Sequence, residues 1–346
     1  MMRLKRALAA GLMVPAPTPA AVISALQSAV ELEHATIPLY LYALYSLNPA
    51  KNPAIVDIVQ SVVVEEMLHM SLASNVLNAL GGDSQIDQPG FIPAYPGPLP
   101  GGVESQLKVH LAPFSIAQLQ TFLTIEQPED PLVIPEAVAA DEITIGEFYA
   151  AIAKALGTLG DSAFAKPPRN QIGPDLMPEC VVVTDVASAQ AALAIIVEQG
   201  EGSTASPDEG VGGQIAHYYR FMQIQKGALL VPAPGQTPPW AYTGAPVVFD
   251  PTGVYPVQTD PNLPPNAYGA GTIEAFANDN FNYTYTSFLS ALDALLSGQN
   301  TDAQMNVALG LMMSLKGQAK AMMSGIPDST IFTGPSFQYQ TVNPAA

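Results

Sequence analysis

Val62-Val-Val-Glu-Glu66-Met-Leu-His69-Met-Ser-Leu72 sets a carboxylate and an imidazole three residues apart in a helical stretch. That spacing puts Glu66 and His69 ~60° apart around a helix and ~4.5 Å apart along it, so both heads reach one ion. They share a stripe with Ile55, Val59, Ala73, Val76 and Leu80, a face otherwise apolar. An unpaired charge on such a face is expensive, and a metal between helices satisfies both groups. The alternative is a surface Glu-His pair on a half-exposed helix, because Glu-x-x-His arises easily by chance. Glu65, four residues before His69, is a competing partner for the imidazole.

Working outward, the pair lies in a helix expected from about Pro53 to Leu80, with Gly81-Gly82 as its stop. A preceding helix is expected over Thr18 to Leu47, where Val22, Leu26, Val30, Ile37, Leu41 and Leu44 recur at helical steps. Glu33 is the charge on its stripe of Val30, Ile37, Tyr40 and Leu44, whereas Glu31 and His34 fall off that stripe and read as solvated or as supporting a ligand from behind. Pro38 should kink or locally open the helix one turn past Glu33. Tyr40, Tyr42 and Tyr45 line a pocket, relay electrons or pack the core.

Further ligands are few. Histidines stand only at 34, 69, 110 and 217. His217, beside Tyr218 and Tyr219, is either a packed core residue or a ligand; His110 reads as structural. Glu126 closes an apolar stripe, Glu147 completes a Thr144-x-x-Glu147 capping box, and Glu198-Gln-Gly-Glu201 sits where a helix breaks. Cys180 is the single cysteine, which excludes an internal disulfide, a Cys-rich zinc site and an iron-sulfur cluster held by this chain alone. Any metal is therefore held by His and carboxylate.

The remaining chain reads as helices over 115–127, 144–156, 185–199, 213–226, 273–297 and 301–324, separated by Pro- and Gly-rich stretches at 83–114 and 230–270. This organisation predicts a bundle over 18–228, followed over 229–346 by a proline-rich wrap and a helical hairpin. Hydrophobic residues make up 48% and no run is long enough to span a membrane; with a net charge of −18, nucleic acid and anionic lipid are disfavoured partners. Met1 to Val14 faintly resembles a secretory signal, but Pro15, Pro17 and Pro19 stand where a cleavage region belongs, so the segment reads as a surface arm and the expected location is cytoplasmic. A homo-oligomer is compatible with all of this.

The series of Glu33, Glu66-x-x-His69 and later Glu and His resembles the ferritin-like di-metal carboxylate bundle. Leu32-Glu-His-Ala-Thr-Ile-Pro38-Leu-Tyr-Leu-Tyr-Ala-Leu-Tyr-Ser46, Glu65-Glu-Met-Leu-His69, Asn75-Val-Leu-Asn-Ala-Leu-Gly-Gly82, Thr144-Ile-Gly-Glu-Phe-Tyr149, Gln199-Gly-Glu-Gly202, His217-Tyr-Tyr-Arg-Phe221 and Gly334-Pro-Ser-Phe-Gln-Tyr339 resemble, more narrowly, the ferritin-like family that includes iminophenyl-pyruvate dimer synthases and related enzymes of violacein and chromopyrrolate biosynthesis. The resemblance implies a mainly α fold: a ferritin-like four-helix bundle with long loops and an added C-terminal helical hairpin. It also implies Glu33, Glu66, His69, Glu147, Glu201 and His217 as ligands for two iron or manganese ions. One departure matters. Gln214 stands where a second Glu-x-x-His needs its acid, so Glu198 or Glu201 must return across 200–213, or the site holds one metal.

Two functions compete. In the first, the centre oxidises a small organic substrate, such as an amino-acid-derived imine, with dioxygen or peroxide, under the cover of 83–114. In the second, the chain is a non-catalytic metal-binding or storage protein.

Overall fold

The structure, a computed structural model, describes residues 3–102, 107–128, 141–200, 207, 215–237 and 239–341. Two long helices dominate it: α1 over Pro19–Tyr45 and α2 over Pro53–Ala79. Thr18 caps α1, its hydroxyl accepting from the Ala21 amide at 3.2 Å, and a proline opens each helix where its missing N–H is no loss. Gly81, at φ 86°, turns the chain out of α2 as a glycine at that place should. Val22, Leu26, Val30, Val59, Ala73 and Val76 are fully buried between the helices and their neighbours.

Helix α1 does not break at Pro38. The proline removes the donor to the carbonyl of His34. On either side of that carbonyl, the Thr36 hydroxyl donates to Glu33 O at 3.0 Å and the Tyr95 hydroxyl to Ala35 O at 2.6 Å. Side chains therefore support the backbone around the missing bond.

The other half of the bundle is made of short pieces. Helices α3 (Ile116–Ile125), α4 (Ile145–Leu159), α5 (Val186–Gly200) and α6 (His217–Lys226) pack so that α3 meets α6 and α4 meets α5, with α4, α5 and α6 also touching the long pair. The end of α3, the end of α5 and the start of α6 carry the buried residues Ile125, Gln199 and His217.

Beyond α6, β3 (Ala228–Pro232) and β4 (Trp240–Pro246) form an antiparallel hairpin in a stretch whose sequence showed no period. Helices α7 (Ile273–Leu296) and α8 (Asp302–Ser324) then pack on α2 and α1. The chain returns along α7: the amides of Ser336, Gln338 and Gln340 donate to Asn278, Asn282 and Thr286 at 2.9, 3.0 and 2.9 Å. These acceptors recur every four residues, one turn of helix apart.

The N-terminal segment is not a free arm. Strand β1 (Arg3–Lys5) pairs antiparallel with β2 (Glu142–Thr144), and Leu4 is fully buried. No helix among the described residues is long and apolar enough to cross a membrane.

Candidate metal centre

The helix ends and the two long helices converge on a buried cluster. Glu65, Glu66 and His69 come from α2 and Glu33 from α1; Glu126 is the C-cap of α3 and His217 the first residue of α6. All six are buried, His217 completely. Ligand atoms of Glu66, His69 and His217 lie within 4.8 Å of one another. Glu66 Oε1 and Glu126 Oε2 stand 3.1 and 3.4 Å from His217 Nδ1, and Glu33 Oε2 stands 3.5 Å from His69 Nδ1.

Both imidazoles are held from behind by Nε2. That of His69 lies 3.0 Å from Gln199 Oε1, and the Gln199 amide nitrogen donates to Glu179 at 2.8 Å. With its nitrogen committed, Gln199 offers His69 an oxygen, so Nε2 donates to it and Nδ1 is the ring atom that faces Glu33. His217 Nε2 meets Glu65 Oε2 at 3.1 Å. Glu65 is fixed in turn by the Arg220 guanidinium, with both oxygens at 2.8 Å, one turn along α6 from His217. Behind the carboxylates, Tyr149 donates to Glu33 and Tyr40 to Glu126.

The donor set fits a divalent transition metal. Carboxylate and imidazole are its usual ligands, and a ligating His commonly donates its outer N–H to a carboxylate or carbonyl, as both do here. A further sign is His217 Nδ1. It is buried and makes no hydrogen bond despite two carboxylate oxygens within 3.4 Å. Close approach without donor geometry is an arrangement that could accommodate a shared metal.

Without a cation the cluster must retain protons. Burial and then the charge of Glu126 push Glu66 well above the usual carboxylate range. Burial opposes the charge on His217, yet the carboxylates of Glu126, Glu65 and Glu66 gathered around it raise it well above the ordinary imidazole value. Burial would lift Glu33 too, but His69 and the Tyr149 hydroxyl bring it below the normal range. A metal replaces such protons as it binds.

Of the residues expected from sequence, Glu33, Glu66, His69 and His217 are brought together, Glu201 lies outside the described residues, and Glu147 stands apart. Glu147 is exposed and closes a true capping box, accepting from the Thr144 amide at 3.0 Å while the Thr144 hydroxyl accepts from its own amide at 3.0 Å. The box turns this carboxylate toward the start of α4, and Glu126 takes the interior place. Glu198 is half-buried near the end of α5, where it is Gln199 that reaches His69. His34 is buried rather than solvated, and His110 pairs on the surface with Asp260 at 2.6 Å. Arg220, Gln199 and Tyr149 had no assigned role in the sequence reading, although a basic residue one turn after His217 answers the question of what neutralises Glu65. Thr144→Ala should lower stability by about 1 kcal/mol, a typical cap loss; Glu147→Ala, measured by elemental analysis, should leave metal content at the wild-type level.

The ferritin-like family pattern matches residues 26–226, more than half of the chain and all of the cluster. The chain belongs to the ferritin-like family. The crystal structure of a ferritin-like protein from Caulobacter vibrioides superposes with a TM-score of 0.65 at 24% identity, covering 94% of this chain and 100% of that one, which supports the same fold. A dichlorochromopyrrolate synthase from Lentzea aerocolonigenes is 26% identical over 186 residues, 47% of this chain. The match spans only 17% of that protein's length. A mainly helical ferritin-like bundle is therefore the fold of this chain, and its buried Glu/His cluster is a site able to hold a metal.

Proposed function

We propose that this ferritin-like chain is a metal-dependent oxidoreductase that holds iron or manganese, as a pair of ions, and acts on a small organic molecule such as an amino-acid-derived imine. The observation that carries the reading is the matched pair of imidazoles, each gripped at Nε2 from outside and presenting Nδ1 to carboxylates. Likeness to a dichlorochromopyrrolate synthase supports a biosynthetic substrate. Glu33, Glu66, His69, Glu126 and His217 would hold the metal, with Glu201 a further candidate beyond the described residues. When bound, iron or manganese supplies one-electron chemistry toward dioxygen or peroxide.

The chain's own residues prepare that site. Tyr40 and Tyr149 orient Glu126 and Glu33 through their hydroxyls, while Gln199 and Glu65 fix the imidazole rings. Leu32, Ile125, Ile145 and Ile196 wall a cavity of about 50 Å³ beside the carboxylates. That space suits a diatomic oxidant.

The same small volume favours a second reading, metal binding without catalysis, because sites for organic molecules usually offer roughly 300–1,000 Å³. Elemental analysis of purified protein followed by dioxygen and peroxide consumption separates the two. Bound iron or manganese together with substrate-dependent consumption is the expected result. Metal without consumption establishes the second reading, and less than about half an equivalent of metal per chain removes both.

A further inference from the structure

A second cavity, of about 200 Å³, lies between α1 and α2 on one side and α7 and α8 on the other, and shares no lining residue with the cavity beside the metal cluster. It faces a different side of α1, where His34, Ile37 and Leu41 replace Glu33 and Thr36. Most of the wall is apolar and adaptable: Met67, Met312, Phe288 and Leu292 contribute, and methionine side chains readily reshape around a guest. Among the described residues no carboxylate lines it. Lys316 stands among the lining residues but is half-exposed and donates to Gln60 Oε1 at 3.2 Å.

One polar group in this wall lacks a partner. His34 is only 2% exposed and packs against Phe91 in a tilted ring contact at a centroid distance of 4.3 Å. Its Nε2 lies 2.7 Å from the Tyr285 hydroxyl, whereas Nδ1 is buried with no hydrogen bond. A phenol hydroxyl is a good donor, and among the described residues the Tyr285 hydroxyl makes no other hydrogen bond, so we assign it as donor to Nε2, which leaves the ring proton on Nδ1. The result is a buried N–H that points to no acceptor of the protein. Buried donors are almost always satisfied, because an unmade bond in a dry interior is costly.

We propose that this cavity is a binding site for a small neutral molecule with an apolar body and one carbonyl oxygen, the oxygen accepting from His34 Nδ1. The volume is below the usual range for drug-sized ligands, which limits the guest to on the order of ten heavy atoms. Neutrality follows from the surroundings: the wall offers no free buried charge to pair with an ion, and a net charge of −18 repels anions on approach. The site stands independently of the metal reading, since its geometry uses neither the cluster nor its ligands.

Acetophenone and ethylbenzene, close in shape and differing in the carbonyl, test this by calorimetric titration of the full chain with ligand-observed NMR. Acetophenone should saturate one site and bind roughly five- to tenfold more tightly than ethylbenzene, the preference that one net hydrogen bond gives. His34→Phe, which keeps a ring and removes the donor, should erase the preference. Met312→Trp should fill the cavity from α8 without altering α1 and should prevent binding of both compounds; circular dichroism reports whether each variant is folded. Absence of saturable binding to the unaltered chain, a preference that survives His34→Phe, or binding that survives folded Met312→Trp overturns the proposal. So does benzoate binding more tightly than acetophenone, which would assign the site to anions.

Discussion

His217→Ala is expected to release most of the bound metal and to lower the melting temperature of the metal-free protein as well. The imidazole is fully buried and meets Glu65, Glu66 and Glu126 at 3.1, 3.1 and 3.4 Å. In the metal-free state those carboxylates outweigh burial and push the imidazole well above its ordinary value, which favours a positive charge at the centre of the acids. Glu66 already holds a proton there, and Glu65 keeps Arg220. The deficit should therefore sit near the lower end of the ~3–5 kcal/mol for losing one partner of a buried charge pair, a fall of roughly 5 °C or more in melting temperature. Elemental analysis and thermal scans of loaded and stripped protein measure the two effects separately. His217→Gln sharpens the reading, because an amide can still bond Glu65 but lacks the ring nitrogen. It should recover part of the metal-free stability and none of the metal. Wild-type metal content in a folded His217→Ala protein would remove His217 from the ligand set.

The part of the cluster that was legible beforehand is the part written in local periodicity. Glu33 and Glu66 each interrupt an apolar helical stripe, and His69 follows Glu66 at the spacing that shares an ion. Such signals need only one helix. Glu126 could not be separated from Glu147 in the same way, because its place depends on where α3 ends relative to α6, a contact between segments about ninety residues apart. The Thr144-x-x-Glu147 box was itself readable, and the structure keeps Glu147 in that role. Resemblance had drawn it toward the metal; its own local bonding holds it outside.

The fold shows the same division. Long amphipathic helices announced themselves, whereas the pieces that rely on distant pairing did not. Strand β1 has three residues and gains its partner more than a hundred residues later, so neither strand carries a period of its own. The β3–β4 hairpin was hidden by prolines and an irregular register between Ala228 and Leu230. His34 was misjudged for a related reason. It leaves the stripe that faces the short helices, but α7 arrives from 250 residues downstream to bury it against Tyr285.

Arg220→Ala should produce a large loss of stability although it removes no ligand. Its guanidinium holds both oxygens of Glu65 at 2.8 Å and reaches Ser61 Oγ at 3.1 Å, with both charged partners buried. Removing the cation strands a carboxylate that has only His217 left, at a cost of about 3–5 kcal/mol. Burial alone would raise Glu65, but His217 and then Arg220 bring it below its ordinary value of 4.5. A lowered folded value means that the pair's stabilisation is fully present above the unfolded value and is lost as pH falls through the folded one. The gap between wild type and Arg220→Ala should therefore be largest near neutral pH and should narrow as pH falls below about 4.5. Metal affinity should drop by roughly 10–100-fold, the usual effect of losing a group that steadies a ligand, because Glu65 no longer fixes the His217 ring. Pairing Arg220→Met with Glu65→Gln distinguishes charge from packing. If a stranded carboxylate is the cause, the double variant should be more stable than Arg220→Ala while its metal affinity stays low; equal melting temperatures for the two would show that the lost packing of the arginine stem dominates.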